Sequence, residues 1–150
     1  MNLSLIKIRS IFPTFNEKPI TTEEFWAAAG KFKELSVHQV PLMVDGYYTP
    51  RCGRHFILIN DKLTGVRFMH TALHEFYHYM FDMPGINEGY TFYRNGKYHD
   101  RREYKADAFA TIGILPWPEL LRIDASDVDD QPWLAEMVRS RIVVRTHFGL

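Results

Sequence analysis

The segment His74-Glu75-Phe76-Tyr77-His78 sets two imidazoles four positions apart with a carboxylate beside the first. On a helix this spacing puts both rings on one face, one turn apart, where both can reach a single cation, and it turns Glu75 slightly aside. The chemistry such a group serves is hydrolysis. Zinc held by neutral imidazole nitrogens lowers the pKa of its water to about 7, and a neighbouring carboxylate takes the proton as the hydroxide attacks a carbonyl. Glu75 is the candidate general base. A catalytic zinc needs three protein ligands and an open position, so the third ligand must come from elsewhere in the chain. Glu103 and Asp107 share a helix face through their own i, i+4 spacing. Glu103 is assigned as the third ligand. Asp107 is assigned to accept a hydrogen bond from the non-coordinating nitrogen of one histidine, which fixes its tautomer and ring angle. Residues 79–102 are enough chain to bring the second helix back beside the first.

A five-residue pattern of this kind also arises by chance in unrelated chains. The plainer reading is a helix with packed histidines and a solvated Glu75. The surroundings argue against it, because the motif lies mid-helix in an apolar setting where a carboxylate and two polar rings are costly to bury without partners. His70, one turn before His74, suggests a rival pair, but Thr71 follows it and that pairing lacks a base; a satisfied or pocket-lining histidine is the simpler reading. His38 and His55 read as polar positions on strands. Tyr90, Tyr93, Tyr98, Tyr104, His99 and His147 each offer a donor for the oxyanion of a tetrahedral intermediate, and the sequence does not choose among them. Cys52 lies near Arg51 and Arg54 but has no base at recognisable spacing, so a nucleophilic role is disfavoured.

The elements that must position these groups alternate in period. Thr21 and Glu24 have capping-box spacing ahead of Phe25, Ala28, Ala29 and Phe32, which predicts a helix to about Leu35. Residues 10–20, with Pro13 and Pro19, read as an irregular leader. Val37–Met43, Val44–Thr49 and Arg54–Asn60 read as two or three antiparallel strands separated by turn signals at Asp45-Gly46 and Pro50 to Gly53. Leu63–Phe81 returns to helical period, with Val66, Met69, Leu73, Phe76 and Met80 on one stripe, and Asp82-Met83-Pro84-Gly85 stops it. Asn95-Gly96 predicts a small hairpin flap within residues 86–100. A helix fits Asp100–Ile114, and shorter ones fit Pro118–Ile123 and Pro132–Val144. Asp127, Asp129 and Asp130 read as a solvated turn, and Arg139, Arg141 and Arg145 as a solvated helix face. With no internal repeat or linker, the expectation is a single α+β domain over residues 1–150, a zincin-like fold with a small antiparallel sheet packed on the metal-binding helix.

Composition bounds the rest. At 150 residues and 46% hydrophobic content the chain is one domain's worth, able to remove roughly 70% of its extended surface from water without disulfides or a structural metal. Lys and Arg number 18 against 18 Asp and Glu, which leaves no basic footprint for nucleic acid or an anionic membrane. One cysteine excludes a cysteine-rich zinc cage or an internal disulfide and suits a reducing compartment. No secretory leader and no apolar run of about 18 residues is read, so the cytoplasm is expected. Aromatics at 15% fit either a core or an aromatic-lined cleft.

Taken with their flanks, Met69 to His78, then Glu103-Tyr104-Lys105-Ala106-Asp107-Ala108-Phe109-Ala110-Thr111 and Leu115-Pro116, resemble the ImmA/IrrE family of metallopeptidases. That family shows a Thr-x-Ala-His-Glu-x-x-His segment, then a Glu-x-x-Ala-Asn/Asp-x-Phe-Ala segment running into Leu-x-Pro. Val44 to Tyr48 and Ile57 to Asn60 resemble the strands that precede its metal-binding helix, and the likeness spans about residues 25–118. It departs at Lys105, where relatives often carry an acidic or amide residue, and in the tail from Ser126. The resemblance implies His74, His78 and Glu103 as zinc ligands and Glu75 as base. It also implies a polypeptide substrate, often a separately encoded helix-turn-helix repressor that controls mobile elements or stress genes. Two other readings stand beside the endopeptidase: a non-proteolytic zinc-containing regulatory or antitoxin-type module, and a zinc hydrolase of small amides. Mn or Fe can replace Zn in a His₂Glu site.

Overall fold

The computed structural model of the chain describes residues 2–82 and 96–150, with residues 96–100 as main chain only. The expected flap, with Tyr90 and Tyr93, falls mostly outside the described residues. Its last part, Gly96 to Tyr98, belongs instead to the first turn of a helix. Tertiary contacts divide the chain into two compact units, one of Met1–Thr21 with Thr111–Leu150 and one of Thr22–Ala110.

The unit Thr22–Ala110 holds the sheet and the motif. Helix α2 (Thr22–Gly30) ends several residues before the periodicity suggested. Phe32 lies past its end, in a turn, with its ring 5.9 Å from that of Phe76 and 5.2 Å from that of Tyr79. Strands β1 (Leu35–Val40), β2 (Gly46–Arg51) and β3 (Arg54–Asn60) follow, in the spatial order β1-β3-β2. β2 and β3 form the expected antiparallel hairpin, closed by Cys52 and Gly53 at φ 50° and 74°, the two positive values that a two-residue turn of matching twist requires.

β1 departs from the expectation: it pairs with β3 in parallel, so the sheet is mixed rather than antiparallel. The reason is chain reversal. Two reversals separate β1 from β3, which therefore run the same way, and β3 takes the middle because Ile57 and Ile59 are its fully buried side chains. Asn60 pins the connection, its Nδ2 donating to the main-chain oxygens of Leu42 at 3.1 Å and Val44 at 3.2 Å.

Helix α3 (Gly65–Phe81) carries the motif and lies over β2 and β3. More of its circumference is buried than a single stripe predicts: Phe68, Ala72 and Tyr77 join Leu73 and Phe76. Strands cover one side, and the portion of α4 (Gly96–Ile114) up to Ala110 covers another through Tyr77 and Phe109, whose rings are 5.6 Å apart. Gly46 sets the approach of α3 to β2. A methyl group there would lie 2.6 Å from Thr71 Cγ2 and 2.9 Å from the Leu58 carbonyl oxygen, so only glycine lets the helix come so close.

In the other unit, helix α1 (Leu5–Ile11) buries Ile8 and takes in only the first two residues of the expected leader, which is irregular over 12–20. Helices α5 (Trp117–Leu120), α6 (Ala125–Asp129) and α7 (Pro132–Phe148) complete it. The aspartate run thus forms a short helix rather than a turn: Asp124 and Asp127 make a reciprocal capping box. Helix α7 extends four residues past the expected end, to Gly149 in the left-handed conformation that closes helices. Arg141 is not on a solvated face. It is fully buried, with Nε donating to the Leu115 carbonyl at 2.7 Å, Nη1 to the Leu150 main-chain oxygen at 2.8 Å and Nη2 to Asn16 Oδ1 at 2.8 Å. Burial and then the neighbouring Arg145 lower its pKa to about 10, which leaves it charged at neutral pH. Among the described residues no helix is long and apolar enough to cross a membrane.

Two stability measurements follow. Arg141→Met removes three charge-assisted donors and strands a buried carbonyl, at a cost of about 3 kcal/mol. Thermal or urea unfolding of the variant measures it, and wild-type stability would refute the role. In the other unit the Tyr79 hydroxyl donates to Glu34 Oε1 at 2.6 Å, and this bond, followed by one from the Glu34 main chain, holds the carboxyl below its ordinary 4.5. A lowered folded-state pKa adds stability that is present above the unfolded value and is lost as pH falls through the folded one. The stability gap between wild type and Tyr79→Phe is therefore expected to be full at neutral pH and to close below about pH 4.5, read from urea midpoints across that range.

Candidate metal centre

Helix α3 presents His74 and His78 toward α4, and α4 returns Glu103 and Asp107 to meet them. The His74 Nε2 atom lies 3.0 Å from Glu103 Oε2, and His78 Nε2 lies 3.1 Å from Glu103 Oε1. The two Nε2 atoms are themselves 3.0 Å apart. His74, His78 and Glu103 each offer a ligand atom within 4.8 Å of the others, the group among the described residues that could hold a metal ion.

The outer nitrogens explain why a cation belongs there. His74 Nδ1 is 2.7 Å from Asp107 Oδ1, and His78 Nδ1 is 2.8 Å from Asp82 Oδ2. Each ring donates its Nδ1 proton to a carboxylate, the arrangement that fixes the tautomer of a metal-binding histidine. In the neutral rings both Nε2 atoms are then left with lone pairs, aimed at each other and at a carboxylate. Three electron-rich atoms converging on one point repel unless a positive charge lies among them. Bonds of about 2.0–2.1 Å from zinc to three such atoms place them roughly 3.3 Å apart in a tetrahedral site, close to the spacings here. The donor set fits a divalent ion of borderline softness with one position left for water or substrate.

The titration of these groups expresses the same pull. Burial works against a charged His74, but hydrogen bonds to Asp107 and Glu103 outweigh it and push its pKa up to about 10. His78 reaches about 9 by the same balance, with Asp82 and Glu103 as the partners. Burial alone would raise Glu103; the two histidines reverse that and hold its carboxyl far below the usual range. Glu75, buried at 7% exposure, is raised by desolvation, which His74 and His78 oppose and Glu103 reinforces.

The structure thus brings together His74, His78, Glu103 and Asp107, with Glu75 beside them. Asp82, in contact with His78, is the residue of this cluster that the sequence did not single out. Its i, i+4 spacing from His78 was the available signal, masked by its place next to Met83-Pro84-Gly85, which reads as a helix stop. His70 is half-buried, its ring 6.4 Å from that of His74, and burial lowers its pKa. Tyr104, next to Glu103, is half-buried, and burial raises its hydroxyl. His99 lies in α4 where only the main chain is described. His147 lies in the last turn of α7, in the unit that does not hold these ligands. His38 and His55 are on strands, as read, and Cys52 is exposed at the hairpin tip.

The model of a peptidase family described as the IrrE N-terminal-like domain matches residues 33–144, a range that contains every residue of this centre. The chain belongs to that family. No curated protein and no solved structure matches it significantly. Membership in the IrrE N-terminal-like family gives the chain a metallopeptidase-type function, in agreement with the resemblance carried by its two motifs.

Replacing the carboxylate behind either ring tests the role of the outer nitrogens. Asp82→Asn and Asp107→Asn are each expected to weaken zinc binding roughly 10- to 100-fold with little change in circular dichroism. Competition against a chromophoric chelator measures this, and unchanged affinity in both variants would show that the carboxylates do not orient the ligands.

Proposed function

We propose that the chain is a zinc-dependent endopeptidase, active in the cytoplasm, whose substrate is a separately encoded helix-turn-helix regulator. The observation that carries the reading is Glu75. It is a carboxyl group buried beside three converging ligand atoms without being one of them. A purely structural metal site has no use for a fourth carboxyl in so costly a place, whereas a hydrolytic one needs a base there.

Zinc, when bound, would supply a Lewis acid that polarises the scissile carbonyl and acidifies water. The residues of the chain do the rest. His74, His78 and Glu103 hold the ion through one nitrogen or oxygen each, and Asp107 and Asp82 keep the rings turned toward it. Glu75 accepts the proton of the attacking water and passes it to the amide nitrogen that leaves. A carboxyl pushed up by burial suits both halves of that transfer, because it gives the proton back more readily than a solvated one. The choice of zinc rests on the nitrogen-rich donor set, and that of a regulator on what the family resemblance implies.

Glu75→Gln is expected to keep zinc and to slow cleavage by roughly 10²- to 10⁴-fold. The assay incubates the purified chain, with and without chelator, with candidate helix-turn-helix regulators, the product of the neighbouring gene among the proteins tried, and follows fragments by mass spectrometry. Cleavage by the variant at the wild-type rate would dismiss the mechanism. Preserved biological action of Glu75→Gln would favour the non-proteolytic regulatory module instead.

A further inference from the structure

Strand β2, at an edge of the sheet among the described residues, passes over Glu75, and its main-chain groups alternate in direction along the strand. Asn60 N donates to Asp45 O at 2.7 Å, which makes the 45–60 pair a hydrogen-bonded one. Antiparallel pairs alternate, so Tyr47, Thr49 and Arg51 direct their amides toward β3, while Gly46, Tyr48 and Pro50 face outward. Pro50 has no amide to offer. Of the remaining two, the amide of Tyr48 donates to the Glu75 carboxyl. Gly46, two residues earlier, lies against the same side chain, since a methyl group there would come within 3.5 Å of Glu75 Cγ.

The Tyr48 side chain is anchored as well. Its hydroxyl is 2.6 Å from His55 Nδ1, with the two rings stacked at 10°. Its ring also meets that of Tyr79 at 6.1 Å, and Tyr79 stands one helical turn beyond Glu75 on α3. The Tyr79 hydroxyl is in turn tied to Glu34, ahead of β1. Strand and helix are thus joined at two places, at Gly46 by close approach and at Tyr48 by a ring cluster. Tyr48 also supplies the main-chain bond to Glu75.

We infer that Tyr48 is a positioning residue for Glu75: its main-chain amide holds one carboxyl oxygen, and its latched side chain keeps β2 at the height this bond needs. The inference rests on the reading of Glu75 as the base. A carboxyl held at one oxygen presents the other in a fixed direction, which is what proton transfer within hydrogen-bond reach requires.

The test uses the full zinc-loaded chain and two readouts. In amide hydrogen exchange by NMR, Glu75→Ala is expected to speed exchange at Tyr48 about tenfold or more, the loss of one hydrogen bond, while Tyr47 and Thr49 keep their protection. Equal Tyr48 exchange in both proteins would overturn the inference, and so would a rise at all three amides, which signals a loosened sheet. In cleavage of the regulator substrate found by the assay above, Tyr48→Ala is expected to lower kcat about tenfold with KM and zinc content unchanged. Tyr48→Phe, which keeps the ring, is expected to recover most of that rate. An unchanged kcat, a change confined to KM, or loss of zinc would overturn the positioning role. If the wild-type chain cleaves nothing, the peptidase reading falls, while the exchange comparison still decides whether Tyr48 holds Glu75.

Discussion

Two imidazole nitrogens and a carboxylate facing one another across about three ångströms need positive charge among them, supplied by a bound cation or by protons on the imidazoles. The atoms are His74 Nε2, His78 Nε2 and the Glu103 oxygens. Asp107 and Asp82 engage the outer nitrogens and so aim the lone pairs inward. Protein dipoles are arranged here against their own repulsion, and the work of holding them falls on the packing of α3 against the strands and against α4. This explains why α3 is buried on more than one side, with Leu73, Phe76 and Tyr77 all removed from water. A solvated amphipathic helix would leave the rings free to turn apart.

Glu75 depends on the same packing but answers to a different neighbour. The histidines face α4, whereas Glu75 lies toward β2, where Gly46 removes the side chain that would keep strand and helix apart. A single helix therefore divides its polar residues between two partners. The ligands take their geometry from the helix opposite, and the carboxyl between them takes its geometry from the strand. The mixed sheet serves this division. By placing β3 in the centre, it leaves β2 at an edge with outward-facing main-chain groups, next to the motif.

The unit of Met1–Thr21 and Thr111–Leu150 is organised by another polar residue, Arg141. Its guanidinium is spent on three oxygens, from Leu115, Asn16 and Leu150. Asn16 sits at φ 66°, a left-handed conformation that asparagine tolerates, and its Oδ1 also accepts the Trp117 amide at 3.0 Å. Segments more than a hundred residues apart in sequence are thereby fastened around one planar cation.

Local signals carried a large part of this. The i, i+4 pairs at 74–78 and 103–107, the strand over 54–60 and the helical period through Phe81 depend on side-chain spacing, which the chain displays before it folds. The ligand trio and the family followed from them. Asp82 was hidden because its residue type at a helix end has an ordinary explanation as part of a stop. Arg141 read as solvated because three arginines on one helix suggest an exposed face, and nothing local shows that oxygens from both ends of the chain will meet one of them. The parallel pairing of β1 was equally invisible, since the choice between a meander and an inserted central strand is made by which strand buries best. What the amino-acid order determined by itself was the periodic and the short-range: which residues share a face and which chemistry they share. Tertiary structure alone decided which distant atoms come within three ångströms of that face, because such contacts depend on the competition of all segments for one interior.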